Sequence, residues 1–243
     1  MAEMGAAIVE LGQYTLRSGR RDELIGMFER AFIEAQEAAG IESIGQFCDL
    51  DDPNRFVWLR GFSDMRARAD GLAAFYGGPV WKDHREAARA TMVDSDNVLL
   101  LRPVASGAGI VTLADRAQRG ATQSPPGLLT ASIRYVAPAM LPTFIRFFDE
   151  TIAPIERAAG ADVRGRYQTE TAVNTFPALP VRDADSVFVW FAAFADAATY
   201  VNYLGAIDAG TDYRDGASPE LLAVLARRPE VLRLLPTPRS RFR

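Results

Sequence analysis

Cysteine, histidine and lysine are almost missing from this 243-residue chain, which has one of each: Cys48, His84 and Lys82. A single cysteine excludes a disulfide within the chain and any cysteine-built zinc site. A single histidine argues against a zinc or two-metal centre. A single lysine confines Schiff-base chemistry to Lys82. Arginine carries almost all the basic charge, which points to a GC-rich bacterial genome. Long apolar runs are also missing: the richest, residues 188–195, is far below the roughly 18–20 residues of a membrane span. The opening Met1-Ala2-Glu3-Met4 lacks the basic-then-apolar pattern of a signal peptide. Positive charge is not in excess either, with 27 basic and 31 acidic residues and a formal charge of −4, so nothing electrostatic favours nucleic acid. These absences predict a cytoplasmic protein that binds neither membrane nor nucleic acid. Gly77-Gly78-Pro79 lacks the spacing of a phosphate loop, and no serine-hydrolase or cysteine-protease pattern occurs. Cys48, with no basic residue beside it, reads as a small core residue.

Apolar residues make up 49% of the chain, enough for two cores of about 100 residues each. An internal repeat supports that division. Ala38-Ala39-Gly40 recurs as Ala158-Ala159-Gly160 and Gly45-Gln46-Phe47 as Gly165-Arg166-Tyr167, both at an offset of 120. Phe56-Val57-Trp58 recurs as Phe188-Val189-Trp190 at 132, and Arg102-Pro103 corresponds to Leu235-Pro236 at 133. One insertion of 12 residues between Gln168 and Ser186 explains the shift, where Asn174, Pro177 and Pro180 mark a long loop. A loop of that length is expected to be mobile or to act as a lid.

Each copy reads as βαββαβ. Residues 7–16 alternate as a strand. Leu24, Ile25, Phe28, Ala31, Phe32, Ala35 and Ala39 form a helical stripe that Gly40 ends. Strands 42–50 and 55–62 flank the turn sequence Asp51-Asp52-Pro53-Asn54. A helix over 64–76 breaks at Gly77-Gly78, Pro79 opens a helix to Met92, and 97–102 closes the unit. The second copy predicts elements at 128–137, 142–159 (kinked at Pro154), 162–169, 186–194, 196–204, 219–227 and 230–235. Domains over 7–103 and 128–236 are thus joined by a flexible linker, 104–127. The fold class is α+β: two ferredoxin-like units, each a four-stranded antiparallel sheet with helices on one face. Their bare faces can cover each other, giving a pseudo-symmetric α/β barrel within one chain.

The segments Val9-Glu10-Leu11-Gly12-Gln13-Tyr14-Thr15-Leu16, residues 56–62 (FVWLRGF), Trp81-x-x-His84-Arg85 and residues 94–103 (DSDNVLLLRP) together resemble the NIPSNAP family. The resemblance spans nearly all of 7–103 and is weaker in 128–236, where Glu10, Tyr14 and Arg60 become Thr130, Arg134 and Ala192. It implies a fold of the dimeric α/β barrel superfamily, whose members include cofactor-free monooxygenases, isomerases, cyclases and some haem-binding enzymes. It carries no common reaction, and eukaryotic NIPSNAP members resemble interaction proteins.

Strand alternation then predicts which side chains line the barrel. Val9, Leu11, Val57, Leu59 and Gly61 suit the helix layer. Glu10, Gly12, Tyr14, Gln46, Cys48, Phe56, Trp58, Arg60 and Phe62 are expected inside, with Thr130, Ser132, Arg134, Arg166 and Trp190 from the second copy. Such a polar and aromatic lining suits a small-molecule pocket. Arg60 and Arg134 can hold a carboxylate or enolate, or Glu10–Arg60 can be an internal ion pair that pins the barrel. Tyr14 can donate to a ligand oxygen or simply fill space. His84 shares a helical stripe with Trp81 and is either a general acid or base or a packed structural histidine. The expected catalytic set is His84, Tyr14 and Arg60; Glu10, Gln46, Trp58, Trp81, Arg134, Arg166 and Trp190 are expected to bind substrate. No cofactor or metal is expected. The expected function is a cofactor-independent enzyme performing proton transfer, isomerisation, cyclisation or oxygenation on a mid-sized aromatic or polyketide-like metabolite. The alternative is a non-catalytic small-molecule-binding or protein-interaction scaffold. A small-molecule ligand is the expected partner, and a homodimer is possible.

Overall fold

The computed structural model describes residues 6–112, 115–210 and 227–243. The first unit runs β1 (Ile8–Leu16), α1 (Arg21–Met27), a π-helical turn (Phe28–Phe32), α2 (Ile33–Ala38), β2 (Glu42–Asp49), β3 (Arg55–Phe62), α3 (Met65–Gly77), α4 (Pro79–Thr91), a short β4 (Met92–Asp94) and β5 (Val98–Pro103). The second follows the same order: β6 (Leu128–Tyr135), α5 (Leu141–Phe147), a π-helical turn (Phe148–Ile152), α6 (Ala153–Ala158), β7 (Asp162–Thr169), β8 (Val187–Phe194), α7 (Ala197–Ala209) and β9 (Glu230–Pro236). The helix expected at 219–227 falls almost wholly outside the described residues.

Local chemistry sets these boundaries. Gly40 and Gly160 end their helices at φ +79° and +104°, a region other residues rarely adopt. Asp64 caps α3 by accepting from the Ala67 amide at 2.7 Å, and Asp196 caps α7 from the Thr199 amide at the same distance. Pro79 opens α4, where its missing N–H costs nothing. The irregularity expected at Pro154 has another origin. A π-helical turn precedes it, and the same turn occupies Phe28–Phe32, where no proline stands.

The sheet orders are β5-β1-β3-β2 and β9-β6-β8-β7, all antiparallel. Two seams join them. Phe47, Cys48 and Asp49 pair with Pro236, Leu235 and Leu234, while Leu101, Arg102 and Pro103 pair with Thr169, Gln168 and Tyr167. The result is a closed eight-stranded barrel made by one chain, with β4 paired to β1 outside the ring. Closure leaves the ring with no open edge strand.

The facing of the strands is opposite to the expectation. Val9, Leu11, Val57 and Leu59 meet Ala131, Ile133, Val189 and Phe191 in one buried apolar cluster inside the barrel. Tyr14, Phe56, Trp58 and Phe62 instead pack with Leu24, Phe28, Phe32 and Phe75 of the first helix layer. Register carries Glu10, Gly12, Gln46, Cys48 and Arg60 to that same side, because Glu10 is opposite Arg60, Gly12 and Gln46 are opposite Trp58, and Cys48 is opposite Phe56. In the second unit Thr130, Ser132, Arg134, Arg166 and Trp190 likewise face their own helices, with Trp190 packed on Phe148 and Phe188. The physical reason is hydration. A barrel closed by two sheets is sealed on every side, so it takes the smooth aliphatic faces. Helices bridge a sheet less completely and leave room for polar groups and space.

The connection between the units is not a loose tether. Ala108 and Ile110 are buried, the Ile110 amide donates to the Tyr167 hydroxyl at 2.7 Å, and Arg116 donates to Glu37, Ser43 and Arg239. Phe242 packs into the barrel core beside Phe47 and Phe191. Among the described residues no helix is long and apolar enough to cross a membrane.

Candidate functional site

Between the first sheet and its helices lies a cavity of about 420 Å³. Aromatic rings make most of its wall: Tyr14 and Trp58 from the sheet, Phe28 and Phe32 from the π-helical turn, and Phe75, Tyr76 and Trp81 from α3 and α4. Their edge-to-face contacts (Tyr14 on Trp58 at 5.5 Å, Tyr76 on Trp81 at 4.8 Å) hold the rings as a rigid box. Gly12 makes room for the Trp58 indole, since a Cβ there would lie 2.2 Å from the ring. Arg60 lies over Trp58 with Cζ 4.4 Å from the ring centre and faces the cavity. Arg85, Arg89 and Asp96 also line it and are exposed.

Behind Arg60 sits a fully buried carboxylate. Glu10 accepts from Arg60 Nε with one oxygen and from Arg68 Nε at 2.6 Å with the other. Burial pulls the Arg60 guanidinium towards neutrality, but the Glu10 carboxylate beside it outweighs that and holds it charged. Tyr14 is buried too, and burial, reinforced by Tyr76, pushes its hydroxyl well above the usual tyrosine range. It is therefore protonated at neutral pH and can donate to a ligand oxygen, but cannot act as a base.

The inserted loop of the second unit closes the box. Asn174 Oδ1 accepts from Arg68 Nη1 at 2.8 Å, and Thr175 donates to the Met65 carbonyl at 3.0 Å. Phe176 stacks on Tyr76 at 6.0 Å, and Leu179 and Pro180 complete the lining. One unit thus supplies the cavity and the other its cover.

The NIPSNAP family model matches residues 9–107, a segment that contains β1 to β5 and every cavity residue except those of the loop. Residues 9–107 are a NIPSNAP domain. Over the whole chain the barrel is similar to solved structures of distant sequence. One is a candidate monooxygenase from Fusobacterium nucleatum (11% identity, 98% of this chain and 94% of that one, TM-score 0.59). A second candidate monooxygenase, from Lactobacillus acidophilus, is 12% identical (97% and 98%, TM-score 0.55). An anthrone oxidase-like protein is also 12% identical (95% and 91%, TM-score 0.60). At these identities the likeness is one of fold. No curated protein matches the chain.

Of the residues singled out from sequence, Tyr14, Trp58, Arg60 and Trp81 line the NIPSNAP-domain cavity, and Glu10 stands directly behind it. Gln46 is buried beside Trp58 without lining the cavity. Arg134 and Trp190 stack on each other at 4.6 Å in the second unit, where Arg166 pairs with Asp149, so none of the three reaches this site. His84 does not reach it either. Its Nδ1–H donates to the Val80 carbonyl at 3.0 Å on its own helix and its ring edges against Phe32, so the expected acid–base group is absent from the lining. Sequence reading missed Arg68, although a signal was present. Arg68, Leu72 and Phe75 fall at helical spacing on the buried face of α3, and an arginine on such a stripe calls for a buried partner. The loop residues carried no such signal, because the insertion shows only that a loop exists and not where it docks. Among the described residues no group of three or more metal-binding side chains occurs.

Proposed function

We propose that the NIPSNAP-domain cavity receives one mid-sized aromatic or polyketide-like metabolite and that the protein transforms it without a bound cofactor, by oxygenation, isomerisation or cyclisation. The observation that carries this reading is the conjunction of a rigid aromatic box with a buried Arg60 facing into it. The volume lies near the lower end of small-molecule pockets and suits a single ligand of two or three fused rings. Arg60 and the protonated Tyr14 would stabilise negative charge that develops on a substrate oxygen, in a site that the loop 174–180 covers on one side. That loop is read as a lid.

The direct test is turnover of an aromatic metabolite panel by the purified protein, followed by oxygen uptake and product mass. Arg60→Gln should lower turnover by roughly 10²–10³-fold, the usual loss of a charge-stabilising donor. His84→Ala should leave turnover unchanged, since the ring lies outside the cavity. Binding without turnover across the panel would favour a second reading, a non-catalytic small-molecule binder. The observation behind that alternative is the position of His84, which leaves the cavity without a buried general base among the described residues.

A further inference from the structure

We propose that the ligand of this cavity carries a permanent negative charge: it is a flat aromatic monoanion whose oxyanion rests on Arg60. The inference deepens the reading of the cavity as a ligand site and rests on it. It comes from a charge count that the structure alone permits. Two guanidinium groups, Arg60 and Arg68, share the one carboxylate of Glu10, and all three residues are buried, at 5%, 0% and 0% exposure. The other partners of Arg68 are the neutral Asn174 and Thr175 oxygens, and among the described residues Arg68 Nη2 has none. The other partner of Arg60 is the Tyr76 hydroxyl, which accepts from Nη1 at 3.5 Å, and the Tyr14 hydroxyl nearby is protonated, so neither brings a compensating negative charge. Among the described residues the buried set therefore keeps one positive charge in excess. At the rim Arg85 and Arg89 pair with Glu86, and Asp96 is exposed as well, so these solvent-facing charges balance one another and leave the buried excess as it is.

An uncompensated buried charge is costly, and a group that brings the missing charge relieves that cost. Arg68 is walled off behind Glu10 and the loop, whereas Arg60 faces the cavity, so the compensating anion must arrive there. A guanidinium offers the forked donors that a carboxylate, phenolate or enolate oxygen accepts. The aromatic rings that wall the cavity around it require the rest of the ligand to be flat and apolar.

The experiment compares two isosteric probes, 2-naphthoate and the neutral 2-naphthamide, titrated into the full chain at neutral pH and low salt with tryptophan fluorescence as readout. Naphthoate should bind about tenfold or more tightly, the size of one charged hydrogen bond. Arg60→Gln should reduce naphthoate to the affinity of the amide. Glu10→Gln removes the shared carboxylate, raises the excess charge and should tighten naphthoate while leaving the amide unchanged. If either variant fails to fold, the wild-type comparison still decides the matter. Amide binding equal to or tighter than naphthoate binding would overturn the anion inference and leave the cavity reading intact. Failure of both probes to bind would overturn the cavity reading and this inference with it.

Discussion

Gly12→Ala tests the geometry of the aromatic box with a single methyl group. An alanine Cβ at this position falls 2.2 Å from Cε2 and Cζ2 of Trp58 and 2.7 Å from Nε1. Ordinary contact begins near 3.4 Å, so the indole must retreat by about 1.2 Å. Tyr14 stands edge-on to it at 5.5 Å and Arg60 lies over it at 4.4 Å, so the opening left to it is the cavity itself. Overpacking of this kind costs about 1–3 kcal/mol. For a chain of this length each kcal/mol lowers Tm by about 2–4 °C, so a fall of about 2–12 °C is expected by calorimetry. The displaced indole also intrudes on the cavity and disturbs Arg60, so affinity for an aromatic probe should fall about tenfold or more. Gly77→Ala is the control, because a Cβ there meets nothing within 4 Å and both stability and binding should be kept. A Gly12→Ala protein that melts with wild type and binds the probe equally well would show that Trp58 is not seated as described, and the box built on it would fall.

Two further outcomes follow from the loop and from the C-terminal segment. Asn174→Ala removes the acceptor for Arg68 and for the Phe176 amide and the donor to the Leu179 carbonyl. It should cost about 1–3 kcal/mol, speed proteolytic cleavage within residues 170–185 and raise the ligand off-rate; unchanged cleavage and off-rate would refute the lid. Burial raises the Glu34 carboxyl, but hydrogen bonds from Arg239 and Arg119 outweigh it and lower the group to about 2. Its native-state value is then below its unfolded one, so its stabilisation is full above the ordinary carboxylate range, near 4.5, and is lost as pH falls towards 2. Glu34→Gln should flatten the acid limb of the stability curve in that window, and an identical acid limb in the variant would contradict the pairing.

Periodicity and punctuation made the elements legible. Gly40, Asp64 and Pro79 each act through their own backbone geometry, and their effects are local, so the helix ends could be read from single residues. The repeat offsets placed the loop insertion for the same reason. Arg60, Tyr14, Trp58 and Trp81 were found because aromatic and charged residues in strand or helix register mark a lined face. Which partner that face meets was not local. The aliphatic row of Val57 and Leu59 satisfies a helix layer as well as an opposing sheet, and the choice depends on how completely each partner shuts out water.

The sequence by itself determined the order of elements, the pairing of two βαββαβ units and the kind of residues available to a site. Alternation and helical spacing are properties of the chain's own geometry and survive in any tertiary context. Only the tertiary structure decided which sheet faces enter the barrel, that Arg68 shares Glu10 with Arg60, and that residues 174–180 of the second unit cover a cavity in the first. Those are contacts across 50 to 110 positions of chain. They are fixed by the burial of a charge and the closure of a space, which no local pattern encodes.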